Sequence, residues 1–97
     1  MLFLEFTGHQ CVNCRKMART TLIAPQVVQA LSALEPAVLY TDGHNPEEDA
    51  NSAVQADRFG TAVIPAYYLL DASGKLIAKQ EGSASVDEFL SFLGKAK

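Results

Sequence analysis

An apolar run of strand length, MLFLEF, is broken by TGHQ and followed at once by CVNCRKMAR, which holds the only two cysteines of the chain, Cys11 and Cys14. Apolar side chains on both faces of MLFLEF suit a central strand covered on both sides. From Cys11 to Leu22 there is neither proline nor glycine, and the helix formers Arg15, Lys16, Met17, Ala18 and Arg19 cluster there. The sequence therefore predicts a buried strand that delivers a C-x-x-C pair to the start of a helix.

Pro25 interrupts that helix, because its ring excludes the carbonyl four residues back and disfavours helix at Ala24. It suits the first position of a new helical piece, along which Val27, Val28, Leu31 and Leu34 recur at helical spacing until Pro36 stops it. AVLYT reads as a second strand, and a strand, helical crossover and strand make a right-handed parallel unit. TDGHNPEEDA runs from a loop into a helix, with Asn45 as cap, Pro46 in the first turn, Glu48 at the capping-box position and Gly60 at the far end. AYYLL, reached through Ile64-Pro65, and KLIAKQ form a hairpin about the DASG turn. Ser85 with Glu88 opens a last helix whose apolar stripe is Val86, Phe89, Leu90 and Leu93. The order is β-α-β-α-β-β-α, with C-x-x-C at the first strand-to-helix junction. No linker, repeat or low-complexity segment divides residues 1–97, which read as a single domain.

With 97 residues, 48% of them hydrophobic, the chain has material for one core. A net charge of −3 argues against a nucleic-acid binder. No apolar run reaches the length of a transmembrane helix, and no secretory signal precedes the first strand. Met1 opens abruptly onto that strand, as in a domain excised from a longer protein. Two cysteines do not make a disulfide scaffold. A bridge across C-x-x-C would close so short a loop that it stabilises little.

The chemistry favoured by this placement is thiol–disulfide exchange. The attacking species is the thiolate, and a helix amino terminus offers free N–H groups and partial positive charge to hold it. Cys11 is thus the expected nucleophile, and Cys14, one turn further in, the resolving thiol. Arg15, Lys16 and Arg19 support that thiolate, greet an acidic partner, or form a solvated basic face. Glu5 is a carboxylate in an apolar strand, and alternation leaves its face undecided. Beneath Cys14 it would have a raised pKa and could shuttle that thiol's proton; elsewhere it is an exposed or ion-paired strand residue. His9 and His44 could complete a Cys2His2 zinc set with Cys11 and Cys14, but they lie far apart and on opposite sides of the pair, unlike the usual paired histidines.

FLEFTGHQCVNCRKM, PQVVQAL, VIPAYYLLDASGKLI and GSASVDEFLSFL together resemble the thioredoxin superfamily, and within it the carboxy-terminal periplasmic domains of DsbD-type membrane reductases and their stand-alone relatives. The resemblance spans essentially the whole chain. It implies a thioredoxin-like α/β fold with a mixed four-stranded sheet flanked by helices, lacking the first strand and helix of full thioredoxin. Strand one would pair with strands two and three, and strand four would lie at an edge. It also implies that Cys11 and Cys14 are the redox pair, that Pro65 is the family's cis proline beside them, and that Glu5 holds the place of a buried acid, usually aspartate. Gly82 matches a glycine after the last strand. Ile64, Pro65, Gln10, Val12 and Asn13 then border the partner. This chain departs from the family at Gln10, where tryptophan is usual, at Ala24, where an aspartate cap is frequent, and at Val12-Asn13, in place of the Gly-Pro of thioredoxin.

The expectation is a thiol–disulfide oxidoreductase, reductase-leaning, monomeric and by resemblance periplasmic or otherwise extracytoplasmic. It would pass electrons from a membrane-embedded donor to oxidised partner proteins, with no cofactor beyond the Cys11–Cys14 couple and no metal. A non-catalytic module that holds extended peptides beside Pro65, and a Cys/His zinc module, are the alternatives.

Overall fold

The computed structural model describes residues 1–43 and 45–95. Its centre is β1 (Leu2–Thr7), which pairs in parallel with β2 (Glu35–Tyr40) and antiparallel with β3 (Ala66–Leu70); β4 (Leu76–Glu81) adds to β3, giving the order β2-β1-β3-β4. The mixed sheet, with strand one inside and strand four at an edge, is the arrangement expected from the sequence. Among the described residues four helices complete the fold: α1 (Val12–Arg19), α2 (Pro25–Leu31), α3 (Pro46–Phe59) and α4 (Val86–Gly94), with a 3-10 turn at Thr21–Ile23 between the first two. None of the described helices is long and apolar enough to cross a membrane.

The sheet separates two apolar clusters. On one face Phe3, Tyr67 and Leu69 meet Met17 of α1, Val27 of α2, and Phe89, Phe92 and Leu93 of α4. On the other, Leu4, Phe6, Ala66, Tyr68 and Leu70 pack with Phe59 of α3 and with Ile64. Phe59 lies flat on Tyr68, with centroids 3.8 Å apart. AYYLL is buried at every position because β3 is interior in the sheet and covered on both faces.

Capping residues set several boundaries as expected. Asn45 accepts the Glu48 N–H ahead of α3, and Gly60 ends that helix at φ 70°. Ser85 and Glu88 form a reciprocal capping box on α4. Glu48 differs from its expected role, since its carboxylate accepts the Gly43 N–H instead of closing a box on the backbone of Asn45.

The helix expected from Cys11 to Leu22 ends at Arg19. Thr20 leaves helical geometry (φ −126°, ψ −85°) and its hydroxyl donates to the Lys16 carbonyl, so the break comes from a side chain competing for the backbone rather than from Pro25. Along α2, Val27 is fully buried but Val28 is 50% exposed, and Leu34 lies beyond the helix end, so the four-residue stripe is narrower than its spacing implies. Pro36 does not stop the helix; it lies within β2, which starts at Glu35 and tolerates a proline because it is an edge strand.

Candidate redox site

Cys11 caps α1. Its backbone is extended (φ −86°, ψ 114°), and its Sγ accepts the Cys14 N–H at 3.2 Å. A thiolate at this position gains that hydrogen bond and the field of the unpaired N–H groups of the first turn. The Cys11 thiol also faces the Ile64 carbonyl, Sγ to O 3.8 Å. Both cysteines are free thiols, Cys11 half-buried and Cys14 only 4% exposed. Burial pushes the Cys14 thiol up to about 11, helped by its contact with Cys11, while the Thr7 side chain and the Gly8 backbone pull in the opposite direction. One sulfur is accessible and held by a helix end; the other is inside and stays protonated.

The loop before β3 brings a third element to the pair. The Ile64-Pro65 peptide is cis, Pro65 is buried, and its carbonyl accepts the Gly82 N–H at 2.7 Å. Gly82, at φ 89°, thus ties the end of β4 to the proline.

Glu5 lies on β1, the strand that leads to the pair. Side chains alternate along β1, so Glu5 shares a face with Phe3 and Thr7, and Phe3 packs with Met17 of α1. That puts the half-buried Glu5 on the α1 side of the sheet, the face that its sequence context left undecided. Burial raises its carboxyl above the ordinary value. Tyr67 sits directly opposite on β3, fully buried.

The segment that leads into Cys11 is held from β2. Asp42, just past that strand, accepts the N–H of His9 at 2.9 Å and of Gln10 at 2.6 Å. These bonds, the Gln10 N–H first, keep the Asp42 carboxyl below its usual range. The His9 ring lies flat on Tyr40, centroids 4.0 Å apart. A cleft of about 220 Å³ opens between these groups and α1, bordered by Thr7, His9, Cys14, Arg15 and Tyr40. Gln10, Val12 and Asn13 are exposed around Cys11, so the rim on this side is polar apart from Val12. Arg15, Lys16 and Arg19 are also exposed, and the single ion pair among the described residues, Lys79 with Glu81, does not involve them. Among the described residues no three His, Cys, Asp or Glu groups gather as a metal set; His44 lies outside those residues.

A family model described as a thioredoxin-like domain matches residues 1–97. The chain belongs to the thioredoxin-like family. The carboxy-terminal domain of DsbD from Neisseria meningitidis, in its reduced form, is similar with a TM-score of 0.79 at 22% identity, covering 99% of this chain and 80% of that one. A thioredoxin from Thermus thermophilus gives 0.77 at 24%, covering 97% and 71%. A DsbH oxidoreductase gives 0.73 at 24%, covering 98% and 70%. These likenesses bear on the fold. None of the curated proteins compared with the chain matches it.

In this thioredoxin-like domain the structure brings Cys11 against Cys14 and the Ile64 carbonyl, with Pro65 next in the chain, Glu5 on the α1 side of the sheet, and Gln10, Val12 and Asn13 exposed around Cys11. Three participants had no sequence signal of their own. Asp42 reads as part of a loop, Tyr40 as part of the second strand and Tyr67 as part of the third. Only pairing β1 with both β2 and β3 brings them to the cysteines.

Proposed function

We propose that this domain is a thiol–disulfide oxidoreductase that reduces disulfides in partner proteins. The observation that carries the reading is the inequality of the two thiols: Cys11 half-buried with Sγ on the helix end, Cys14 buried and held protonated. The Cys11 thiolate attacks a partner disulfide, forms a mixed disulfide and expels one partner thiolate, which takes up a proton. Glu5, as carboxylate, takes the Cys14 proton. The Cys14 sulfur then attacks Cys11 Sγ, breaks the mixed disulfide and expels the second partner thiolate. Two electrons pass to the partner and the Cys11–Cys14 disulfide remains. A dithiol donor reverses these steps to restore the pair.

The reading extends to an extracytoplasmic compartment and a membrane-embedded donor, as the resemblance to DsbD-type reductases implies. Thioredoxin-fold couples span roughly −270 to −120 mV. The uncharged Val12-Asn13 dipeptide supports the reducing half, and a measured potential above about −160 mV on that scale overturns that part. The decisive test is Cys14→Ser, which should accumulate mixed disulfides through Cys11. If it traps nothing while Cys11→Ser does, the roles are reversed. If replacing both cysteines leaves partner binding and biological activity intact, the domain is a binding module.

A further inference from the structure

We propose that Asp42 is a positioning residue for Cys11, fixing through the backbone where the nucleophile stands on the end of α1. The proposal rests on the redox reading of Cys11 and concerns how its thiolate is held. Two consecutive N–H groups immediately ahead of the nucleophile, those of His9 and Gln10, converge on one carboxylate from a segment 32 and 33 residues away. Such charge-assisted bonds are short and strong for their kind. The carboxylate is itself anchored, because Thr41 beside it donates its N–H to the Thr7 carbonyl at 3.0 Å. The connecting segment is therefore fastened at both ends: Thr7 in the sheet, and His9 and Gln10 on Asp42.

Gly8 shows how closely the parts fit. A Cβ placed there would stand 2.5 Å from Asp42 Oδ2 and 2.9 Å from Ile64 Cδ1. The backbone passes between the carboxylate and the residue whose carbonyl faces the Cys11 thiol. The benefit of a helix end falls off within the first turn, and the Cys11 Sγ–Cys14 N–H contact is 3.2 Å. A loop free to drift moves Sγ off those N–H groups.

The carboxylate also acts by charge, and with the opposite sign. A negative group near the nucleophile disfavours the thiolate, so a purely Coulombic Asp42 makes Cys11 less acidic, whereas a positioning Asp42 makes it more acidic. The sign of the effect separates the two.

The test measures the pH profile of Cys11 alkylation by iodoacetamide in a Cys14→Ser background, where Cys11 is the only thiol. Asp42→Ala should move the midpoint up by about 0.5 unit, slowing alkylation at neutral pH about threefold. A midpoint that stays or falls overturns the proposal. Asp42→Asn, which keeps one acceptor oxygen without the charge, should lie nearer the parent than Asp42→Ala; equal shifts in the two overturn it. If Asp42→Ala does not fold, Gly8→Ala keeps the charge and displaces the carboxylate, and it should give the same upward shift, while no shift again overturns the proposal. The readout needs no partner protein, so a failure of Cys14→Ser to trap partners would count against the redox reading and leave this result standing.

Discussion

Glu5 and Tyr67 stand directly opposite each other across β1 and β3, on the face of the sheet that carries α1. Burial raises the Glu5 carboxyl above its ordinary value near 4.5. Burial also raises the Tyr67 phenol, with the Glu5 carboxylate and the two thiols adding to it. A carboxyl raised in this way suits the proton exchange with Cys14 proposed above.

Glu5 accordingly makes stability depend on pH. A carboxyl raised in the folded state binds more protons folded than unfolded, so its contribution is fully present below the unfolded value and is lost as pH rises through the folded one. Glu5→Gln removes that dependence. Thermal melts between about pH 4 and 8 should show the variant gaining stability relative to the parent as pH rises. A difference that stays flat across the range contradicts a raised Glu5.

The two adjacent tyrosines of β3 should respond oppositely to loss of a hydroxyl. The Tyr67 hydroxyl is buried with no hydrogen-bond partner among the described residues, while its ring packs on Phe3 and edge-on to Phe89. Tyr67→Phe keeps the packing and removes an unsatisfied group, so stability should hold or rise. The Tyr68 hydroxyl donates to Glu81 at 2.9 Å, and Tyr68→Phe should cost about 1.5–3 kcal/mol, as for bonds to charged groups. Denaturant unfolding of the pair checks both signs.

What could be read from the chain alone was what depends on neighbours in sequence. AYYLL is bounded by proline and an aspartate turn, and its limits match β3. Ser85 and Glu88 cap α4 within one helical turn. The C-x-x-C pair announces itself by spacing. Glu5 was ambiguous because MLFLEF is apolar on both faces, so the pattern carries no phase. Thr20 breaks its helix through a hydroxyl that competes for one carbonyl, which composition does not signal. Asp42 and Tyr40 reach the site only through the parallel pairing of β1 with β2, a contact between segments more than thirty residues apart.

Gly82 links the hairpin to the site and should be the costly glycine of that region. Its φ of 89° is one that side chains rarely adopt, yet a Cβ there would meet nothing within 4 Å. Gly82→Ala therefore introduces backbone strain without a clash, costing about 1–2 kcal/mol. Because its N–H holds the Pro65 carbonyl at 2.7 Å, the rate of disulfide exchange should fall along with stability. A variant as stable as the parent would show that the strain relaxes elsewhere in the hairpin.

The two thiols should also separate by alkylation in the native protein. Cys11 is half-buried at the helix end, whereas Cys14 is 4% exposed and its thiol is pushed up to about 11. Alkylation requires both thiolate and access, and Cys14 lacks both at neutral pH. Iodoacetamide at pH 8 should therefore add one equivalent quickly, with mass spectrometry of the digest placing it on Cys11. The second equivalent should appear only in denaturant or as the pH nears 11. The order follows from burial and holds whether or not a partner is present. Equal labelling of both cysteines in the native state would mean that Cys14 opens to solvent faster than the reagent reacts, and the buried resolving thiol would have to be abandoned.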